Sequence, residues 1–122
     1  MKNESIEIKG RHVMLNVTPE AEAALVAARS PLYIDMELYF SCLIGKRVNF
    51  LPAPPEDIVG QVRLTDRVSV GFRAFATETC QVGDQKHELK SKHIPLARAE
   101  RYMPKWLKLD YRKGAWSGEF GL

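Results

Sequence analysis

Three groups of side chains in this sequence could carry chemistry. The first is Cys42 and Cys80 with His12, His87 and His93. A thiolate activated by an imidazole can act as a nucleophile, and thiolates with imidazoles can hold a soft metal. Two cysteines are too few for a self-contained four-cysteine zinc or cluster site. His87 and His93 are spaced like no recognised zinc pair and read as surface residues. The second group is Asp35 and Glu37, which alternate along an extended stretch and so project from one face, roughly 7 Å apart by strand rise. Carboxylates at that spacing can share acid–base work. The alternation around them favours a solvated face instead. The third group is Trp106, Tyr111 and Trp116 beside Lys105, Lys108, Arg112 and Lys113. Aromatics interleaved with cations can stack the bases of a single-stranded nucleic acid inside a basic groove. Core packing by the tryptophans is the competing use of the same residues.

No catalytic signature accompanies these groups. The sequence contains no Gly-x-x-x-x-Gly-Lys phosphate loop, no Gly-x-Gly-x-x-Gly, no Gly-x-Ser-x-Gly and no His-Glu-x-x-His. The chain therefore reads as non-enzymatic and without a cofactor.

Composition sets the frame for these residues. The 122 residues are 45% hydrophobic and 27% charged, which suits one folded domain and argues against disorder. The net charge of +3 is unevenly placed. Residues 1–83 hold nine Lys/Arg against ten Asp/Glu, whereas residues 84–122 hold nine against five. A basic C-terminal third suits an anionic partner, although the same cations can simply solvate exposed faces. The first ten residues carry no apolar run behind a basic start, and no apolar stretch approaches the roughly 20 residues of a membrane span. A cytoplasmic protein without membrane association is expected, with reduced thiols.

The elements that must position the three groups follow from periodicity. Ile6 to Val17 suggests one strand or two short ones, broken at Gly10. Thr18 then offers an N-cap, Pro19 suits the first helical position, and Glu20 and Glu22 suit the positive helix end. This helix is expected to run until Pro31 stops it. From Leu32 to Leu43 apolar and polar residues alternate, as in a strand with one buried face. Gly45-Lys46 reads as a turn, Arg47 to Leu51 as a return strand, and Pro52 to Asp57 as a loop lacking ladder donors. Ile58 to Leu64 and Val68 to Thr77 read as further strands. A polar stretch, Gln81 to Lys92, follows, and then a short helix over Pro95 to Met103, stopped by Pro104. Trp106 to Tyr111 and Trp116 to Leu122 complete the pattern as strands flanking an Arg112-Lys113-Gly114 turn. The expected fold is α+β: a single β-rich domain over residues 1–122, mostly an antiparallel sheet of about seven strands with one or two helices.

Several of these segments, in order, resemble the HesB-like, A-type iron–sulfur carrier family. Val17-Thr18-Pro19-Glu20-Ala21 is similar to that family's strand and helix start, and Leu32 to Glu37 to its next strand. Ser41-Cys42-Leu43-Ile44-Gly45 stands where its first cluster cysteine would be. Ala115-Trp116-Ser117-Gly118-Glu119-Phe120 is loosely similar to its cysteine-containing tail, with Ala115 and Ser117 replacing the two thiols. The resemblance implies a HesB-like scaffold on which Cys42 is the one vestigial metal ligand and cluster binding has been lost, since alanine offers no ligand and serine a poor one. The function so implied is protein interaction or regulation, with partner and oligomeric state left open. The alternative is a nucleic-acid-binding module built on Lys105, Trp106, Lys108, Arg112 and Lys113.

Overall fold

The computed structural model describes residues 2–40, 44–77, 93–95 and 98–122. Two β-hairpins begin and end the chain. Strands β1 (Lys2–Ile8) and β2 (Arg11–Val17) are joined through Lys9 and Gly10, with φ of 50° and 78°. Strands β8 (Trp106–Arg112) and β9 (Ala115–Gly121) are joined through Lys113 and Gly114, with φ of 50° and 79°. Positive φ at both central residues matches the twist of the flanking strands, and glycine takes the second position without a Cβ penalty. The two hairpins associate through a parallel pairing of β2 with β8, giving the order β1-β2-β8-β9.

The second sheet repeats this plan. Strands β3 (Leu32–Phe40) and β4 (Ile44–Leu51) form one antiparallel pair, and β5 (Gly60–Arg63) and β6 (Val68–Thr77) another. They join through parallel β3 and β6 in the order β4-β3-β6-β5, and the short β7 (His93–Pro95) pairs with β6. The inner faces of the two sheets supply one core, in which Val13, Leu15, Ile34, Met36, Val70, Phe72 and Leu107 are fully enclosed. Phe72 on one sheet meets Phe120 on the other edge to face, with centroids 6.4 Å apart. The sheets also approach at both edges. A Cβ on Gly118 of β9 would stand 3.1 Å from Val48 of β4, and one on Gly60 of β5 would stand 3.0 Å from Lys9, just beyond β1.

Helix α1 (Pro19–Ala27) connects the sheets and starts as its sequence dictates. Thr18 is extended, its hydroxyl accepts from the Ala21 N–H at 3.2 Å, and Pro19 follows it. The helix ends at Ala27, short of Pro31, and buries only Ala21 and Leu25. The proline-bounded segment after residue 95 yields a 3-10 turn, Ala99–Tyr102, in place of a helix.

These observations correct the expected α+β fold. Among the described residues the domain is a β-rich, two-sheet structure with a single α-helix. It is also not one mostly antiparallel sheet, because a parallel pair lies at the centre of each sheet. The physical reason is that the core closes sheet on sheet. An alanine-rich helix with two buried side chains cannot cover a sheet face of this size.

The solvated face expected for Asp35 and Glu37 is corrected as well. The two carboxylates do share the outer face of β3, yet Asp35 is fully buried and Glu37 is 8% exposed. Arg73 on β6 reaches both, with Nε 3.1 Å from each Asp35 oxygen and Nη2 3.0 Å from Glu37 Oε1. Asn49 on β4 also donates to both, at 3.0 Å and 2.8 Å. Donors thus occupy both Asp35 oxygens and Glu37 Oε1, which makes the pair a tie across β4, β3 and β6.

Candidate nucleic-acid interface

The five basic and aromatic residues singled out by the sequence do not form one surface. Along β8, side chains alternate between the core and the outside. Trp106, Lys108, Asp110 and Arg112 face outward, whereas Leu107 and Leu109 are buried. Tyr111 and Trp116 share the inner side. Their rings meet edge to face at 4.8 Å, and Trp116 stacks on Phe50 of β4 at 5.5 Å, so both pack against the core. Trp106 is therefore the one aromatic of the three left on the outer face.

Its seat is well defined. A Cβ on Gly121 would fall 2.3 Å from the indole, so the ring lies in the space that glycine leaves open on the neighbouring strand. The Lys108 ammonium stands 5.1 Å from the indole centroid, a cation–π distance. Exposed Lys105 immediately precedes β8. Its backbone is fixed by bonds from its N–H to Gly121 and from the Met14 N–H to its carbonyl, both within 2.9 Å. Trp106 and Lys108 thus form one cluster, with Lys105 preceding it in the chain.

Arg112 and Lys113 stand apart from it. Arg112 lies six residues along the strand from Trp106, roughly 20 Å away by strand rise. Its Nε is paired with Asp110 at 2.9 Å. Asp110 is itself held below the usual carboxylate range, chiefly by the hydrogen bond from the Thr18 hydroxyl, with the Tyr111 N–H and Arg112 acting in the same direction. Lys113 occupies the first central position of the hairpin turn. Cys42 lies outside the described residues, as do Cys80 and His87.

Lys46 and Arg47 were not among the expected site residues, yet the fold brings them to Trp106. Both are exposed on β4, whose edge runs beside β9. With Val48, Trp106, Gly118, Glu119 and Phe120 they line a groove of about 300 Å³. A second groove of about 400 Å³, lined by Thr18, Lys108, Asp110 and Ser117 among others, shares Gly118 and Glu119 with the first. The side-chain-free Gly118 and the small Ser117 open the seam between the sheets here. Lys46 and Arg47 line the first groove with one carboxylate, Glu119, the Arg47 guanidinium standing over the Tyr39 ring at 5.5 Å, and the second groove carries one cation, Lys108, against Asp110 and Glu119. Lys46 and Lys108 are the cations an anion would meet at the Trp106 end. Only the folded arrangement juxtaposes β4 and β8, which are not neighbours in either sheet.

No family model matches this chain, and no curated protein or solved structure matches it. No helix among the described residues is long and apolar enough to cross a membrane.

Proposed function

We propose that this domain is a non-enzymatic binding module whose ligand is single-stranded nucleic acid, held along the β4–β9 seam. The observation that carries the reading is the half-buried Trp106 indole, seated on Gly121 and flanked by Lys108, beside a groove that exposed Lys46 also lines. A base stacks on the indole while the cations follow the phosphates, a division of work that tolerates any sequence. The test is anisotropy of a labelled oligothymidylate, or of a single-stranded RNA, titrated with the protein across a salt series. Binding should weaken steeply as salt rises, because displaced counterions drive it. Trp106→Ala should weaken binding about tenfold, in keeping with the stacking contribution of one base. Lys46→Glu should act in the same direction, and Glu119→Gln should strengthen binding by removing the carboxylate from the groove. No binding at low salt, or binding indifferent to Trp106, removes the proposal.

A second reading keeps the protein-interaction role of a carrier-like chain that has lost its ligands. What favours it is the placement of Ala115 and Ser117, which pair with Arg112 and Asp110 and so share one face of β9. The resembled family carries thiolates at the corresponding positions. On this reading the purified protein is colourless, and added iron and sulfide give no stable cluster absorbance. A cluster that survives gel filtration and disappears in Cys42→Ser would contradict it.

A further inference from the structure

A third cavity, of about 210 Å³, lies where β3 begins, away from the Trp106 seam. Its walls differ in chemistry. Pro31, Pro52, Ala53, Pro54 and Tyr33 make an apolar side, and Arg63, Arg67, Asp66 and Ser69 make a polar one. Arg63, Asp66 and Arg67 are exposed, and none has an ion-pair or hydrogen-bond partner for its side chain among the described residues. Two guanidiniums against one carboxylate leave the polar side positive. A guanidinium presents a planar fork of donors that fits a carboxylate or phosphate with two parallel bonds.

The walls are fixed before any ligand arrives. Prolines restrict the backbone of the apolar side. On the polar side, the Thr65 hydroxyl accepts from the N–H groups of Arg67 and Val68, at 3.2 Å and 3.1 Å. Leu64 and Thr65 both donate to the Val68 carbonyl, and the Leu32 N–H donates to the Arg67 carbonyl at 2.9 Å, tying this turn to the start of β3. The Tyr33 ring lies across Gly71, in the space that a Cβ there would take, and its side chain is buried. Pre-formed walls lower the ordering penalty of binding. The volume is below the roughly 300 Å³ typical of drug-sized sites, which restricts the occupant to a compact molecule.

We propose that this cavity is a binding site for a small organic anion, a carboxylate or phosphomonoester on a compact apolar body. Arg63 and Arg67 clamp the anionic group, and the body rests on the proline–tyrosine wall. This site is independent of the nucleic-acid interface, so either can fail without the other.

The test uses the full chain, isotopically labelled, titrated separately with benzoate, phenyl phosphate, benzyl alcohol and inorganic phosphate while amide NMR shifts are followed. At least one of the two aromatic anions should shift the amides of Leu32, Tyr33, Ala53 and Ser69 saturably. Benzyl alcohol and inorganic phosphate should each bind at least tenfold more weakly than that anion. Arg63→Gln and Arg67→Gln, both at exposed positions, should each weaken binding about tenfold while leaving the remaining spectrum intact. Lys46→Glu should leave this binding unchanged. Equal binding of the neutral alcohol or of inorganic phosphate, indifference to both arginine substitutions, or no saturable shift for either aromatic anion would each overturn the assignment.

Discussion

Replacing Arg73 by leucine is expected to destabilise the domain by about 3 kcal/mol, near the lower end of the range for breaking a buried ion pair by removing one partner. Arg73 donates to both Asp35 and Glu37, and the Asp35 side chain is wholly excluded from solvent. Removing the guanidinium leaves two carboxylates on one strand face, with the Asn49 amide as the remaining donor to both among the described residues. The lower end applies because Arg73 and Glu37 keep side-chain exposures of 17% and 10%, so water can screen part of the loss. Urea denaturation measures the effect as a fall in the unfolding midpoint with an unchanged slope. Replacing Asp35, Glu37 and Arg73 together by apolar residues of similar size should recover most of the stability, since no uncompensated charge then remains. If Arg73→Leu alone is neutral, the carboxylates are solvated and the tie across the three strands is absent. Tyr33→Phe serves as a control on the same face. Among the described residues the buried Tyr33 hydroxyl has no hydrogen-bond partner, and burial, with Asp35 nearby, pushes its pKa up to about 12. Deleting an unsatisfied hydroxyl should leave stability unchanged or raise it slightly.

Local signals in the sequence were legible where local physics decides. Thr18-Pro19 marks the helix start, and Lys113-Gly114 marks a hairpin, because cap and turn geometry depend on a few adjacent residues. Alternation on β3 correctly groups Tyr33, Asp35, Glu37 and Tyr39 on one face. It carries no information about what covers that face, and the arginine that does so lies on a strand 36 residues later. The same limit applied to the tail. Trp106 and Tyr111 are an odd number of residues apart and so must face opposite sides of β8, which parity alone could have shown. Lys46 and Arg47 reach the Trp106 groove only because β4 and β9 are the facing edges of different sheets. No spacing within either segment encodes that. The α+β expectation failed for a related reason. Strand number can be read segment by segment, but the parallel pairings β2–β8 and β3–β6, which divide the strands between two sheets, are long-range.

The division into two sheets sharing one core makes the final expectation specific. Phe72→Ala should cost about 3–5 kcal/mol, the usual range for truncating a large buried aromatic. Phe72 is fully enclosed at the centre of the second sheet, beside Met36 in the register, and it touches Phe120 of the first sheet. Its removal opens a cavity between the sheets that two rigid ladders cannot collapse to fill. Leu25→Ala on the helix removes less enclosed volume, from a residue 7% exposed at the margin of the core. It should fall near 2 kcal/mol, the lower limit for leucine truncations. The ordering of the two variants, measured by urea denaturation, separates the architectures. In an α+β domain whose helix covers the sheet, the helix leucine would carry a loss at least as large as that of the phenylalanine. In a sheet-on-sheet domain the phenylalanine dominates, because it is the contact through which each sheet excludes water from the other.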